Sequence, residues 1–141
     1  MSKEILKIMD ANLNRTREGL RVCEDIARFA LMDKSLSRSL KTVRHSATKT
    51  LLRSKNLSLR KLVGLRDTET DVLKFIDAKI KKKTSIADIF MSNIQRAKES
   101  LRVLEECGKV TEKTISCKYR KLRFDVYDIE KKAAGLLLKH I

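Results

Sequence analysis

The chain has 141 residues, enough for one domain with a hydrophobic core of its own. Net charge is +15 and 36% of residues are charged, so the surface field favours an anionic partner: a phosphorylated substrate, a nucleic acid or an acidic protein surface. Proline and tryptophan are absent and glycine is rare, which argues against a turn-rich β protein and for few, long helices.

The first helix is predicted from Ser2, with Glu4 in its first turn, to about Met32. At ~100° per residue, Ile5, Ile8, Met9, Leu13, Leu20, Cys23, Ile26, Ala27 and Ala30 share one stripe. Asn12 lies inside that stripe, where its amide must find partners. Arg15 and Glu18 sit at its edge; Arg17, Arg21, Glu24 and Arg28 are expected to point outward. Asp33 or Ser35 can cap a second helix, from about 35 to 54, with the stripe Leu36, Leu40, Val43, Ala47 and Leu51. Arg44 falls at the stripe edge and His45 further out.

A short helix over about 57–65 ends at Gly64. The segment 66–72, RDTETDV, combines Arg66 with Asp67, Glu69 and Asp71. Such carboxylates beside a basic bundle can hold Mg²⁺ at a phosphate, or simply cap a turn. Lys79 and Lys81 to Lys83 then make a basic run of the kind found in solvated linkers. Thr84 or Ser85 can cap a third long helix to about Gly108. A fourth, from about Thr114 to His140, carries the stripe Ile115, Tyr119, Leu122, Val126, Ile129, Ala133 and Leu137.

Residues 12–25, NLNRTREGLRVCED, recur without a gap at 93–106, NIQRAKESLRVLEE. Asn12, Arg15, Glu18, Arg21 and Glu24 become Asn93, Arg96, Glu99, Arg102 and Glu105. More weakly, 40–44 aligns with 119–123, so Arg44 corresponds to Arg123. The expected fold is all-α: a single domain over 1–141, a helical bundle of two duplicated hairpins, about 1–56 and 84–141, with an irregular middle at 57–83. If the halves pack about a pseudo-twofold axis, Arg15, Arg44, Arg96 and Arg123 are candidates to bind phosphate through their planar forks.

Five ordered motifs carry a resemblance: IMDANLNRTREGLRVCEDIARF at 8–29, LKTVRH at 40–45, RDTETDV at 66–72, NIQRAKESLRVLEECGK at 93–109 and CKYRKLRFDVYDIE at 117–130. Together they resemble the helical domain found N-terminal to thiamine-phosphate synthase in some bacterial fusion proteins. That family has been proposed as an alternative hydroxymethylpyrimidine-phosphate kinase. The resemblance implies an ATP-dependent phosphotransferase using Mg²⁺. Residue types then suggest Asp71, Glu18 and Glu99 as catalytic groups and Asp67 with Asp71 as metal ligands. Asn12, Arg15, Arg44, Arg66, Asn93, Arg96 and Arg123 become phosphate-binding groups. The chain departs from the pattern at Leu73, where the family often has glycine, and it stops where a synthase barrel would begin.

The sequence has no P-loop, glycine-rich kinase loop, HRD or DFG motif. A second class is therefore a non-catalytic domain that binds a pathway phosphate or docks onto thiamine-phosphate synthase. The Arg21 and Glu24 face is a candidate docking or homodimer surface. Specific nucleic-acid binding ranks last, because aromatic platforms and recognition motifs are lacking. No signal peptide or membrane span is visible, and Cys23, Cys107 and Cys117 lack metal spacing. A reduced, cytoplasmic protein is expected.

Overall fold

The computed structural model of the chain describes residues 2–54, 59–66 and 84–140. Asp67, Glu69, Asp71 and the basic run Lys79 and Lys81 to Lys83 lie outside the described residues. Every regular element among the described residues is helical: α1 Lys3–Asp25, α2 Lys34–Leu52, α3 Leu59–Gly64, α4 Ile86–Gly108 and α5 Lys113–Leu137. Three of the starts follow from side-chain caps. Ser2 accepts from the Ile5 N–H, Asp33 from Leu36, and Ser85 from Asp88 in a reciprocal capping box.

The four long helices form a ring in the order α1, α2, α5, α4, with α3 resting on α1. Neighbours run antiparallel. Thr16 meets Ser100 while Cys23 meets Phe90; Glu105 meets Arg123 while Lys98 meets Glu130; Ala47 meets Tyr119 while Ser54 meets Glu112. The predicted stripes of α2 and α5 are buried at every position named above. They join Leu6, Met9, Leu13, Leu20, Phe90, Ile94, Leu101 and Leu104 in one core. Tyr119 is fully buried, and its hydroxyl donates to the Ala47 carbonyl at 2.8 Å, so a phenol in the core keeps a partner.

The first helix departs from expectation in three ways. Its α-helical hydrogen bonding stops at Asp25, and a π-helical turn, Ile26–Ala30, carries the chain to Met32. Ile8 and Ala30, placed on the apolar stripe, are exposed, while Leu6 is buried in their stead. Glu24, expected to point outward, is buried, as is Glu105 at the matching position of the repeat. Both acids are turned inward by an arginine on the next helix.

Met32 takes φ 52°, the left-handed region that favours glycine. The Asp33 N–H closes the turn onto the Ala27 carbonyl at 2.9 Å. An L side chain there costs about 1–2 kcal/mol, and Met32 is 78% exposed, so packing recovers little. Met32→Gly is expected to raise stability by about 0.5–1 kcal/mol, because the extra freedom of unfolded glycine offsets part of the relief. Urea denaturation measures it; a loss of stability would show that Met32 makes contacts worth more than the strain.

Burial pushes the Cys23 thiol from its ordinary 9.0 up to about 12. The folded pKa is raised, so the thiol's contribution is whole below about 9 and is lost as pH climbs from 9 toward 12. Across that window the native chain should lose up to about 1.4 kcal/mol per pH unit more than Cys23→Ala. Parallel alkaline limbs for the two proteins would refute this. Cys117, which is exposed, should alkylate first.

Candidate functional site

The most extensive helix contact, α1 on α4, is made where side chains are small. Thr16 and Ser100 share a buried hydroxyl contact at 2.6 Å. A methyl added at Gly19 would lie 2.8 Å from the Asn93 carbonyl oxygen and 3.6 Å from the Ala97 nitrogen. In the numbering of the repeat, Thr16 matches Ala97 and Gly19 matches Ser100. The contacts 16 to 100 and 19 to 97 are thus one pair of positions met from both directions. The sequence signal is present: both copies carry small residues three apart, Thr16 with Gly19 and Ala97 with Ser100, which the apolar stripe does not include.

The recurring asparagines also behave alike. Asn12 donates its amide to the Ile8 carbonyl and Asn93 to the Ile89 carbonyl, each at 2.8 Å. Asn12 is buried, and its Oδ1 accepts from the Arg15 guanidinium at 3.4 Å. One cleft of about 440 Å³ opens beside this contact, lined by Asn12, Arg15, Arg96, Glu99, Ser100 and Val103. Glu99 accepts from Gln95 at 3.1 Å. Asn93 and Glu18 are on the same helices but do not line the cleft.

The arginines named from the sequence separate into two groups. Arg44 donates to Glu24 at 2.8 Å, with both side chains largely buried. At the matching positions Arg123 donates to Glu105 at 3.1 and 3.2 Å. Arg66 forms a fork onto Asp10, at 2.8 and 2.9 Å. These three are held by carboxylates, and none lines the α1–α4 cleft, so the gathering of Arg44 and Arg123 with Arg15 and Arg96 expected from the repeat does not occur. Arg15 and Arg96, by contrast, have no ion-pair partner among the described residues.

For Arg44 and Arg123 the physical cause is desolvation; Arg66 is exposed and is held by its fork onto buried Asp10. Burial works against the Arg123 charge, and hydrogen bonds to Tyr127 and Glu105 more than compensate, so its pKa stands above the ordinary arginine value. For Arg66 the hydrogen bond to Asp10 is the leading cause of a rise. Arg15 and Arg96 remain exposed and need no internal partner. Among the described residues no group of three or more His, Cys, Asp or Glu side chains is placed to hold a metal ion, and Asp67 and Asp71 lie outside them.

Glu105→Ala is expected to destabilise the fold by about 3–5 kcal/mol, because it leaves Arg123 buried without a counter-charge. The double variant Glu105→Ala/Arg123→Leu should recover much of that loss. Thermal or urea melts decide it; a single variant within 0.5 kcal/mol of native would mean the pair is not holding the hairpin.

These features define a class: an all-α bundle with an open cationic cleft between its first and fourth helices. The chain belongs to the ThiD2 family, whose model matches residues 7–132. It is similar to proteins named thiamine-phosphate synthase. One from Rhodopirellula baltica is 35% identical, covering 96% of this chain and 36% of that protein. One from Synechocystis is 37% identical, covering 94% and 36%. One from Nostoc punctiforme is 32% identical, covering 93% and 36%. The chain therefore spans about a third of the length of the curated relatives it matches. No solved structure matches it. No helix of the described residues is long and apolar enough to cross a membrane. The chain is thus a domain associated with thiamine biosynthesis, of a family met within longer proteins.

Proposed function

We propose that the α1–α4 cleft binds a phosphate monoester of the thiamine pathway, and that the reaction is ATP-dependent phosphorylation of hydroxymethylpyrimidine phosphate. The supporting observation is the sorting of the arginines. Three are paired with buried acids, while Arg15 and Arg96 line one cleft and form no ion pair among the described residues, with Glu99 the single carboxylate beside them. Two guanidinium groups match the charge of a phosphate dianion and donate to its oxygens in pairs. Asn12 fixes Arg15 from below. Glu99, an acceptor when ionised, suits a hydroxyl or amino donor on the ligand, and is the candidate base nearest the phosphate.

In this reading Arg44, Arg66 and Arg123 move from ligands to frame. Glu18 and Asn93 do not line the cleft. The bundle is then two copies of one hairpin about an approximate twofold axis, and Arg15 and Arg96 make one composite site. The described carboxylates do not assemble a Mg²⁺ site. Asp67 and Asp71 remain the proposed metal ligands.

A second reading is favoured by the relatives' length. A chain covering 36% of proteins named thiamine-phosphate synthase suits a ligand-binding or docking domain that serves a synthase.

The deciding experiment is ATP consumption with hydroxymethylpyrimidine phosphate, with and without Mg²⁺, with the diphosphate identified by mass spectrometry. Metal-dependent product is expected. Arg15→Ala and Arg96→Ala should each lower kcat/KM by about 10–100-fold, the loss of ~1.5–3 kcal/mol from a charged hydrogen bond, with unchanged melting temperature. Folded protein that makes no product yet binds the substrate would replace the kinase with the binding domain. Full turnover in both variants would remove the cleft from either reading.

A further inference from the structure

A second cleft, of about 490 Å³, lies at the far end of α1, where the chain turns into α2. Its size is within the range of about 300–1,000 Å³ usual for small-ligand sites. Phe29 and Met32 line it and are 67% and 78% exposed. Arg28, Lys34, Arg38 and Lys41 surround them, and none has an ion-pair partner among the described residues. Arg28 stacks on the Phe29 ring, 4.9 Å from its centroid. Two acids also line the cleft, and both are engaged: Glu24 with Arg44, and Asp33 with the Leu36 N–H.

The backbone here is costly in two independent ways. The π-helical turn Ile26–Ala30 replaces ordinary helix, and Met32 holds a left-handed conformation without being glycine. Such features concentrate where geometry serves a ligand. The π turn and the reversal at Met32 lead directly into the cleft, and they carry Phe29 and Met32 outward rather than into the core. An aromatic ring and a thioether suit a planar heterocycle. Four cations at the rim suit its phosphates.

We propose that this cleft binds a nucleotide, with the base against Phe29 and Met32 and the phosphates on Arg28, Arg38 and Lys41. The stretch from Arg15 to Phe29 is roughly 20 Å at ~1.5 Å per residue, so a phosphate held here is remote from the Arg15 and Arg96 cleft. At that distance this nucleotide is not the phosphoryl donor for the first cleft; it is a second, separate nucleotide, and the inference does not depend on the reading above.

The test is methionine-methyl NMR of the full chain titrated with ATP. The sequence has four methionines, Met1, Met9, Met32 and Met91, so Met32 reports locally. Saturable movement of the Met32 methyl is expected, with apparent affinity lowered about tenfold or more in both Phe29→Ala and Arg38→Ala/Lys41→Ala. Adenosine and tripolyphosphate should each bind more weakly than ATP. Arg15→Ala should leave the Met32 response in place. No Met32 movement at millimolar ATP would overturn the proposal. So would a response abolished by Arg15→Ala, which would place the nucleotide in the other cleft. A Met32 signal that changes with protein concentration rather than with ATP would overturn it too, marking the patch as a contact between copies of the chain.

Discussion

Helices α1 and α4 can approach closely because Thr16, Gly19, Ala97 and Ser100 present almost no side chain between them. Everything proposed for the first cleft follows from that approach. A larger residue at Gly19 would press on the Asn93 carbonyl and push the helices apart. Arg15 and Arg96 would then no longer face one space. The Thr16 to Ser100 hydroxyl contact fixes the same crossing through a polar pair, and its depth gives the crossing a direction that apolar packing alone would not.

The outer helices are held differently. Each hairpin carries one arginine–glutamate pair at matching positions, Arg44 with Glu24 and Arg123 with Glu105. The two are not equally set. Arg44 sits beside its acid alone, whereas Arg123 also donates to the Tyr127 hydroxyl and has the Phe124 and Tyr127 rings 5.1 and 5.8 Å from its guanidinium carbon. Its Nε is buried with no hydrogen-bond partner among the described residues. Such a pair adds little net stability over an apolar contact of the same shape, but it tolerates no shift of one helix along the other. Register is what the cleft needs.

Much of the fold could be read from residue order. The stripes of α2 and α5, the helix start near Ser2, the caps offered at Asp33 or Ser35 and at Thr84 or Ser85, and the recurrence of 12–25 at 93–106 each rest on local chemistry; Asp33 and Ser85 are the caps used. What could not be read depends on residues far apart. Glu24 was assigned outward because its own helix places it off the apolar stripe; Arg44, twenty positions on, reverses that. The π turn has no proline or glycine to announce it. Arg15 and Arg44 look equivalent as sequence, since each is an arginine at a stripe edge. Only the position of an acid on the next helix tells them apart.

That distinction gives the charge of +15 its meaning. A cation whose carboxylate lies within hydrogen-bond distance contributes little field beyond the pair. Spread lysines in water are screened over about 10 Å. A cation without a partner, set in a concave wall beside another, keeps its attraction for an anion because less solvent intervenes. The α1–α4 cleft meets that condition with two arginines brought together by the crossing of matching helix segments. The cleft at Phe29 meets it with four cations gathered by a turn that no second copy reproduces, since Lys109 and Val110 follow α4 where the π turn follows α1. The first proposed site rests on residues that recur in the sequence and the second on residues that do not, so the ligand chemistry proposed for them differs: paired forks for a compact dianion in one, an apolar floor with a cationic rim in the other.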